Sequence, residues 1–372
     1  ELSLSPSQQG LLASSVLFGN LIFEIPINWW FSRYRPWRIS IVSFAAAGLF
    51  VAFNGWAPTF AVLIIARVGL GVVYLSTQAP RTLVILQWIP RKHIGLANGV
   101  MFSILEAFEG AGYIAIPLIL VWSGDWRTTL YAWAVVCMVA SGLWFFVGRD
   151  RDSSDYRERI RSQVKTPLGS LFKYKEPWLL GLGVAGAVSS RFAIGTFWPT
   201  YTGDEYGTSV MLAGSIIGLM AIASAPTMLG VSVFPIFVRH TSTLLVICGI
   251  GLSATYSGIL FTGSLPLLFL LGIANGMTFS FFPAVMTRLY GLPGIRPREV
   301  AVAVALIYTL LWGGAALGPL VAGFVQEATD DLRLALVITS MTSLSLSIVG
   351  LLLSGKGRRA AEPSLAPVAE PR

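Results

Sequence analysis

Six ionisable side chains interrupt long apolar stretches of the sequence: Glu24, Arg67, Arg81, Glu106, Glu109 and Arg191. A charge in apolar surroundings is costly unless it is paired, hydrated or hydrogen bonded, so these six are the first candidates for chemistry. Glu106 and Glu109 are three residues apart, which on a helix places them on neighbouring faces of one turn. Two carboxylates that close in low dielectric resist ionising together, so one of them can take up and release a proton. Glu24 and Arg81 each lie about seven residues from one end of their stretches, and equal depth predicts a pair. Arg67, about eight residues from the opposite end of its own stretch, reaches Glu109 only through a slope or a water.

Arg191 differs from the others because no Asp or Glu interrupts the apolar stretches of its half of the chain. Its guanidinium must use backbone or polar side chains, water, a carboxylate across a central cavity, or an anionic ligand. A midplane arginine facing such a cavity favours a carboxylate or similar anion. Tyr74, Gln78, Trp198, Asn275, Phe282, Tyr308 and Trp312 are aromatic or polar residues that could line the same space, although each could also pack between helices. Other chemistries have few candidates. Cys137 and Cys248 both sit in apolar runs, and His93 and His240 stand singly beside basic residues, so neither a metal site nor a histidine-based enzyme centre can be assembled.

The elements that must position these residues are membrane spans. Hydrophobic residues make up 55% of the 372 and charged residues 12%, with a mean hydropathy of +0.71, which excludes a water-soluble globule. Apolar stretches long enough to cross a hydrocarbon core of about 30 Å recur eleven times. They fall at about 8–31, 38–57, 59–88, 96–122, 126–148, 177–202, 208–238, 242–262, 264–288, 299–325 and 332–354. The basic residues are unevenly placed in the connections. Arg33, Arg35 and Arg38, Arg91 and Lys92, the stretch 149–175, Arg239, Arg288 and the C-terminal tail form one alternate set; the other set holds only Arg127 and Arg333. Positive charge stays with cytoplasmic loops, so the first set and the C-terminus are expected to face the cytoplasm, in a plasma-membrane protein. The net charge of +8 then reads as topology, with no nucleic-acid partner implied.

An internal repeat organises the spans. The polar segment 149–176 divides them into five and six, and an offset of 206 carries Arg33 onto Arg239, Gly112 onto Gly318 and Arg127 onto Arg333. The expected domains are an N-terminal bundle over 1–148, a cytoplasmic linker over 149–176 ending in a short amphipathic helix, a C-terminal bundle over 177–354 and a flexible tail over 355–372. The same offset sets the start of the first repeat roughly 29 residues before Glu1, room for one helix and a loop, so a twelve-span protein is expected.

Several motifs then resemble the major facilitator superfamily over essentially the whole chain. FEIPINWWFSRYRPWR stands where that family has Gly-x-x-x-Asp-Arg-x-Gly-Arg-Arg; Arg33 fits, while Ser32 replaces the Asp and Arg35 the later Gly. ARVGLGVVY resembles the fourth-helix Arg-x-x-x-Gly pattern through Arg67 and Gly71, GAALGPLVAG the Gly-rich eleventh helix, and GTFWPTY the seventh-helix end of organic-anion symporter branches. The resemblance implies an all-α fold of two pseudo-symmetric bundles working by alternating access, without an enzymatic reaction. It also implies a role for Arg67 in proton coupling or packing, and gating or structural roles for Glu24, Arg81 and Arg33. Gly181 to Gly186 spell the dinucleotide fingerprint Gly-x-Gly-x-x-Gly, but inside an apolar span the glycines predict close helix contact.

The expected function is a secondary transporter, acting as a monomer in the lipid bilayer and driven by the proton gradient without a cofactor. A small organic anion would bind at Arg191, with Trp198, Asn275, Tyr74, Gln78 and Tyr308 around it; Glu106 or Glu109 would carry the proton. The alternative is an exporter of hydrophobic or cationic compounds that uses the glutamates to recognise its cargo.

Overall fold

In the computed structural model the described residues are 4–31, 36–89, 93–149, 174–290, 292 and 297–361, and all regular structure among them is helical. The first half holds α1 (Pro6–Phe31), α2 (Pro36–Trp56), α3 (Phe60–Trp88), α4 (Ile94–Ser123) and α5 (Trp126–Val147). The second holds α6 (Lys175–Tyr206), α7 (Val210–Val233), a short α8 (Pro235–Arg239), α9 (Thr241–Ile259), α10 (Leu265–Thr278), α11 (Phe282–Tyr290), α12 (Pro297–Thr329), α13 (Leu332–Met341) and α14 (Leu344–Ala361). Nine spans among the described residues are long and apolar enough to cross a membrane, counting α10 with α11 and α13 with α14 as one each. The other two columns are the 26-residue α1 and the 29-residue α3, whose apolar part is Phe60–Ser76.

Local signals in the sequence end these helices. Asp125 caps α5 by accepting from the backbone N–H groups of Arg127 and Thr128, and Asp331 caps α13 through Leu334. Gly124 and Gly207 close α4 and α6 at φ 66° and 61°, left-handed conformations that a Cβ would strain. The offset of 206 carries Trp126, the first residue of α5, onto Leu332, the first of α13. It carries Pro36 onto Ser242 and Phe60 onto Pro266, each one residue past the start of α9 and α10.

Within the first half α2 packs on α3 and α5, and α1 on α3; within the second, α6 packs on α12, α9 on α14 and α7 on α10. The halves meet along two seams, α1 with α12 and α4 with α7. Lipid gives apolar helices little reason to associate, so close backbone approach carries the contact. At the middle of the second seam Gly110 and Gly218 face each other's carbonyl oxygens, leaving no space for a Cβ on either. The fingerprint-like glycines do the same inside the second half, with Gly181 against Leu310, Gly183 against Val349 and Gly186 against Thr342 and Ser345.

Several expectations lie outside the described residues: Arg33, most of the 149–176 segment with its amphipathic helix, the side chains of Gln78 and Arg81, and residues 362–372. Helix α14 runs to Ala361, past residue 355 where the tail is expected to begin.

Candidate functional site

Arg191 stands at the midpoint of α6, and Glu106 and Glu109 flank the midpoint of α4, so three of the six charges share one depth. Their side chains meet. Nη2 of Arg191 donates to Glu106 Oε2 at 2.8 Å and to Glu109 Oε1 at 3.0 Å, bridging the two halves. The two carboxylates are held unequally. Glu106 is 13% exposed and also accepts from Ser224 Oγ of α7 at 3.0 Å, whereas Glu109 is 43% exposed and among the described residues has only the guanidinium. The guanidinium carbon sits 4.2 Å above the ring centroid of Phe279, in the 3-10 turn (Phe279–Phe281) that breaks the column between α10 and α11. That break turns an aromatic face toward the arginine at midmembrane, where irregular backbone is tolerated because protein surrounds it.

Both bonds to glutamate use one nitrogen. Nε and Nη1 of Arg191 have no acceptor among the described residues, leaving three of the five guanidinium N–H groups available. Beside them lies a cavity of about 20 Å³ whose polar lining is Arg191, Tyr113, Tyr256 and Asn275, room for about one water. Tyr113 comes from α4 and the other three from the second half.

The other seam carries a different cluster. Glu24 of α1 is buried and accepts from Trp312 Nε1 of α12 at 3.2 Å, and Tyr74 of α3 meets the edge of that indole at 6.0 Å. Call the face where α5 ends and α6 begins the linker face. Toward it Phe102 of α4 packs edge-on with Phe282 at 5.2 Å, and Phe282 with Tyr308 at 5.8 Å. Toward the far face Ser14 Oγ donates to Ala316 O at 2.7 Å, and Glu327 accepts from the backbone N–H of Ser7 at 3.1 Å. Described contacts therefore join the halves on both sides of Arg191.

The structure redistributes the residues singled out in the sequence. Arg191 and Asn275 share the cavity. Glu109 pairs with Arg191 instead of Arg67, which makes no ion pair with a described residue. Trp198 does not face the cavity: it is wholly buried inside the second bundle, tilted against Tyr201, with its indole N–H unbonded. Sequence reasoning missed Ser224, Phe279, Tyr113 and Tyr256. Tyr113 had a signal, since it lies one helical turn beyond Glu109 on the same face; the others depend on which helix packs where.

Comparison with known proteins agrees with this architecture. Residues 1–319 match the sequence profile described as Major Facilitator Superfamily. Over 364 residues the chain is 23% identical to a Cupriavidus necator protein named "Probable sulfoacetate transporter SauU", covering 91% of this chain and 83% of that one. It is 24% identical over 241 residues to the mouse "Sodium-dependent phosphate transport protein 1", covering 58% of this chain and 50% of that protein. Among solved structures it superposes on a bacterial homologue of the human lysosomal transporter Spinster with a TM-score of 0.69 at 18% identity, covering 95% and 90% of the two chains. On the nucleoside transporter NupG the TM-score is 0.72 at 14% identity, with 95% and 92% covered.

Proposed function

The chain belongs to the major facilitator superfamily of secondary transporters, and on that premise we propose that it carries a small organic anion together with protons across the plasma membrane. The observation that carries this reading is the half-used guanidinium of Arg191: three N–H groups without acceptors, at midmembrane, between two bundles that bind cargo at their interface. The anion named for the sulfoacetate relative is of the same class.

Charge balance gives the coupling. With both glutamates ionised, the cluster of Arg191, Glu106 and Glu109 carries one net negative charge. A monoanion arriving alone would double it in low dielectric, which is costly. One proton arriving with a monoanion leaves the net charge unchanged, and a dianion such as sulfoacetate takes two. Glu109 is the proton carrier, because it is the more exposed and has one partner to give up. Glu106, fixed by Ser224 as well, keeps the guanidinium in place. Asn275 lines the anion site, Tyr74 and Tyr308 buttress the aromatic contacts beside it, and Arg67 tunes the field in the first half. Glu24, with Arg81 and Arg33, belongs to the gate.

Reconstitution in proteoliposomes tests the reading. Uptake of labelled sulfoacetate should rise with an inward proton gradient, vanish in Arg191→Gln and lose its gradient dependence in Glu109→Gln. Normal anion uptake by Arg191→Gln would overturn the binding role. Resistance to cationic drugs that survives Arg191→Gln but is lost with Glu106→Gln would point to an exporter instead.

A further inference from the structure

Resting on that reading, we infer that Tyr113 is the ligand which the first half contributes to the transported anion, so the head group is held from both bundles at once. The cavity beside Arg191 is rich in donors. The guanidinium offers Nε–H and both Nη1 hydrogens, while the Asn275 amide is already engaged, donating to Thr255 Oγ1 at 2.8 Å and facing the Tyr256 oxygen. Tyr256 and Tyr113 add a hydroxyl each. No carboxylate lines it among the described residues; Glu106 and Glu109 pair with Arg191 but are not part of the lining. Three guanidinium N–H groups and two phenolic hydroxyls match the oxygens of an oxyanion head, a sulfonate or a carboxylate, that arrives with a proton for one of the glutamates.

Tyr113 alone among the cavity's lining residues crosses from the first half. Its hydroxyl makes no hydrogen bond to a described residue. It reaches α6 opposite Gly195, where an added Cβ would rest in ordinary contact, 3.4 Å from the phenolic oxygen, and only a larger side chain would crowd it. A buried phenol normally finds a partner. Here the partner is supplied by the cargo, in the space of about 20 Å³ that accepts one oxygen. The hydroxyl donates to the anion while Arg191 holds its charge, and the bond exists only when the α4 and α6 faces are together. Cargo thereby stabilises the occluded state over the open ones, which is what a transporter needs in order to switch only when loaded.

The experiment measures binding of sulfoacetate, methanesulfonate, acetate and inorganic phosphate to the purified full chain by calorimetry, with melting temperatures alongside. Tyr113→Phe deletes one oxygen. It should weaken the best-bound anion about tenfold or more, the usual worth of a hydrogen bond to a charged group, while the ligand-free melting temperature stays at the wild-type value. Gly195→Val, which crowds the hydroxyl from α6 but leaves it in place, should weaken binding similarly. Unchanged affinity in Tyr113→Phe, with binding lost in Arg191→Gln, overturns this inference and leaves the anion reading standing. A ligand-free melting temperature that falls in Tyr113→Phe without a loss of affinity also overturns it, since the hydroxyl then serves the empty protein. Undiminished binding in Arg191→Gln, or no wild-type binding to any of the four anions, overturns the anion reading and this inference together.

Discussion

The two seams between the halves are related by the repeat, yet they carry opposite chemistry. The offset of 206 carries Glu106 of α4 onto Trp312 of α12, and Glu109 onto Ala315. In one seam the α4 position is a carboxylate, fixed by Ser224 and an arginine. In the other the equivalent position is an indole donor, and the carboxylate is Glu24 on the facing helix α1. Features that build the scaffold repeat much more closely. Asp125 and Asp331 occupy equivalent caps, and Arg127 and Arg333 follow them. Even here the surroundings have drifted: Arg127 donates to the carbonyls of Gly55 and Ala57, whereas Arg333 reaches Tyr201 and Glu205. Helix ends satisfy the same backbone groups in both halves, so caps keep their form. The charges that meet across one seam answer no such repeated backbone need, and the other seam does not carry them.

The comparison breaks most visibly at Arg191. Arg191→Gln leaves Glu106 facing an uncharged partner, and removing one member of a buried pair costs about 3 kcal/mol or more. The melting temperature should fall by several degrees and uptake should be lost. Gly110→Leu is expected next, at about 1–3 kcal/mol, because the added side chain meets the Gly218 carbonyl and the seam cannot close. Uptake should fall with it; a variant transporting at the wild-type rate would mean the halves need not approach so closely.

Trp312→Phe probes the other seam. It removes the donor to Glu24 but keeps a ring against Tyr74, so about 1 kcal/mol is expected, with the response of uptake to a pH gradient intact. Loss of that response would show both seams to be coupled to the proton.

The smallest effect lies at the repeated caps. Hydrogen bonds from Thr128 and then Arg127 hold the Asp125 carboxyl below its ordinary value. Its folded value is depressed, so the stabilisation it contributes is present at neutral pH and disappears as pH falls below about 4. The small difference in melting temperature between Asp125→Ala and wild type should therefore close on acidification. A difference independent of pH would mean that the hydroxyl and backbone contacts matter without the charge.

Much of this architecture is legible in the order of residues. Each span declares itself locally, through about 20 apolar residues between polar or capping ones, and the offset of 206 follows from matching Arg127 with Arg333. The depth of Glu106, Glu109 and Arg191 follows equally, because rise along a helix is constant. Their pairing does not. Glu106 and Arg191 are separated by 85 residues, and the sequence left Arg191 a choice between backbone, polar side chains, water, a carboxylate across the cavity and an anionic ligand. Trp198 shows the converse: its place near the end of α6 suggested a cavity wall, and only the rotation of that helix put it inside the second bundle.

By itself the sequence determined a polytopic helical protein of two repeated halves, with its charges at known depths. Hydrophobicity and helical rise act within a span and need no partner. The tertiary structure decided which helices face one another, and with that the salt bridges from Arg191, the unused N–H groups beside them and the phenol that crosses from the other half. Those depend on azimuth and on backbone contact at pairs such as Gly110 and Gly218, set by packing between segments far apart in the chain.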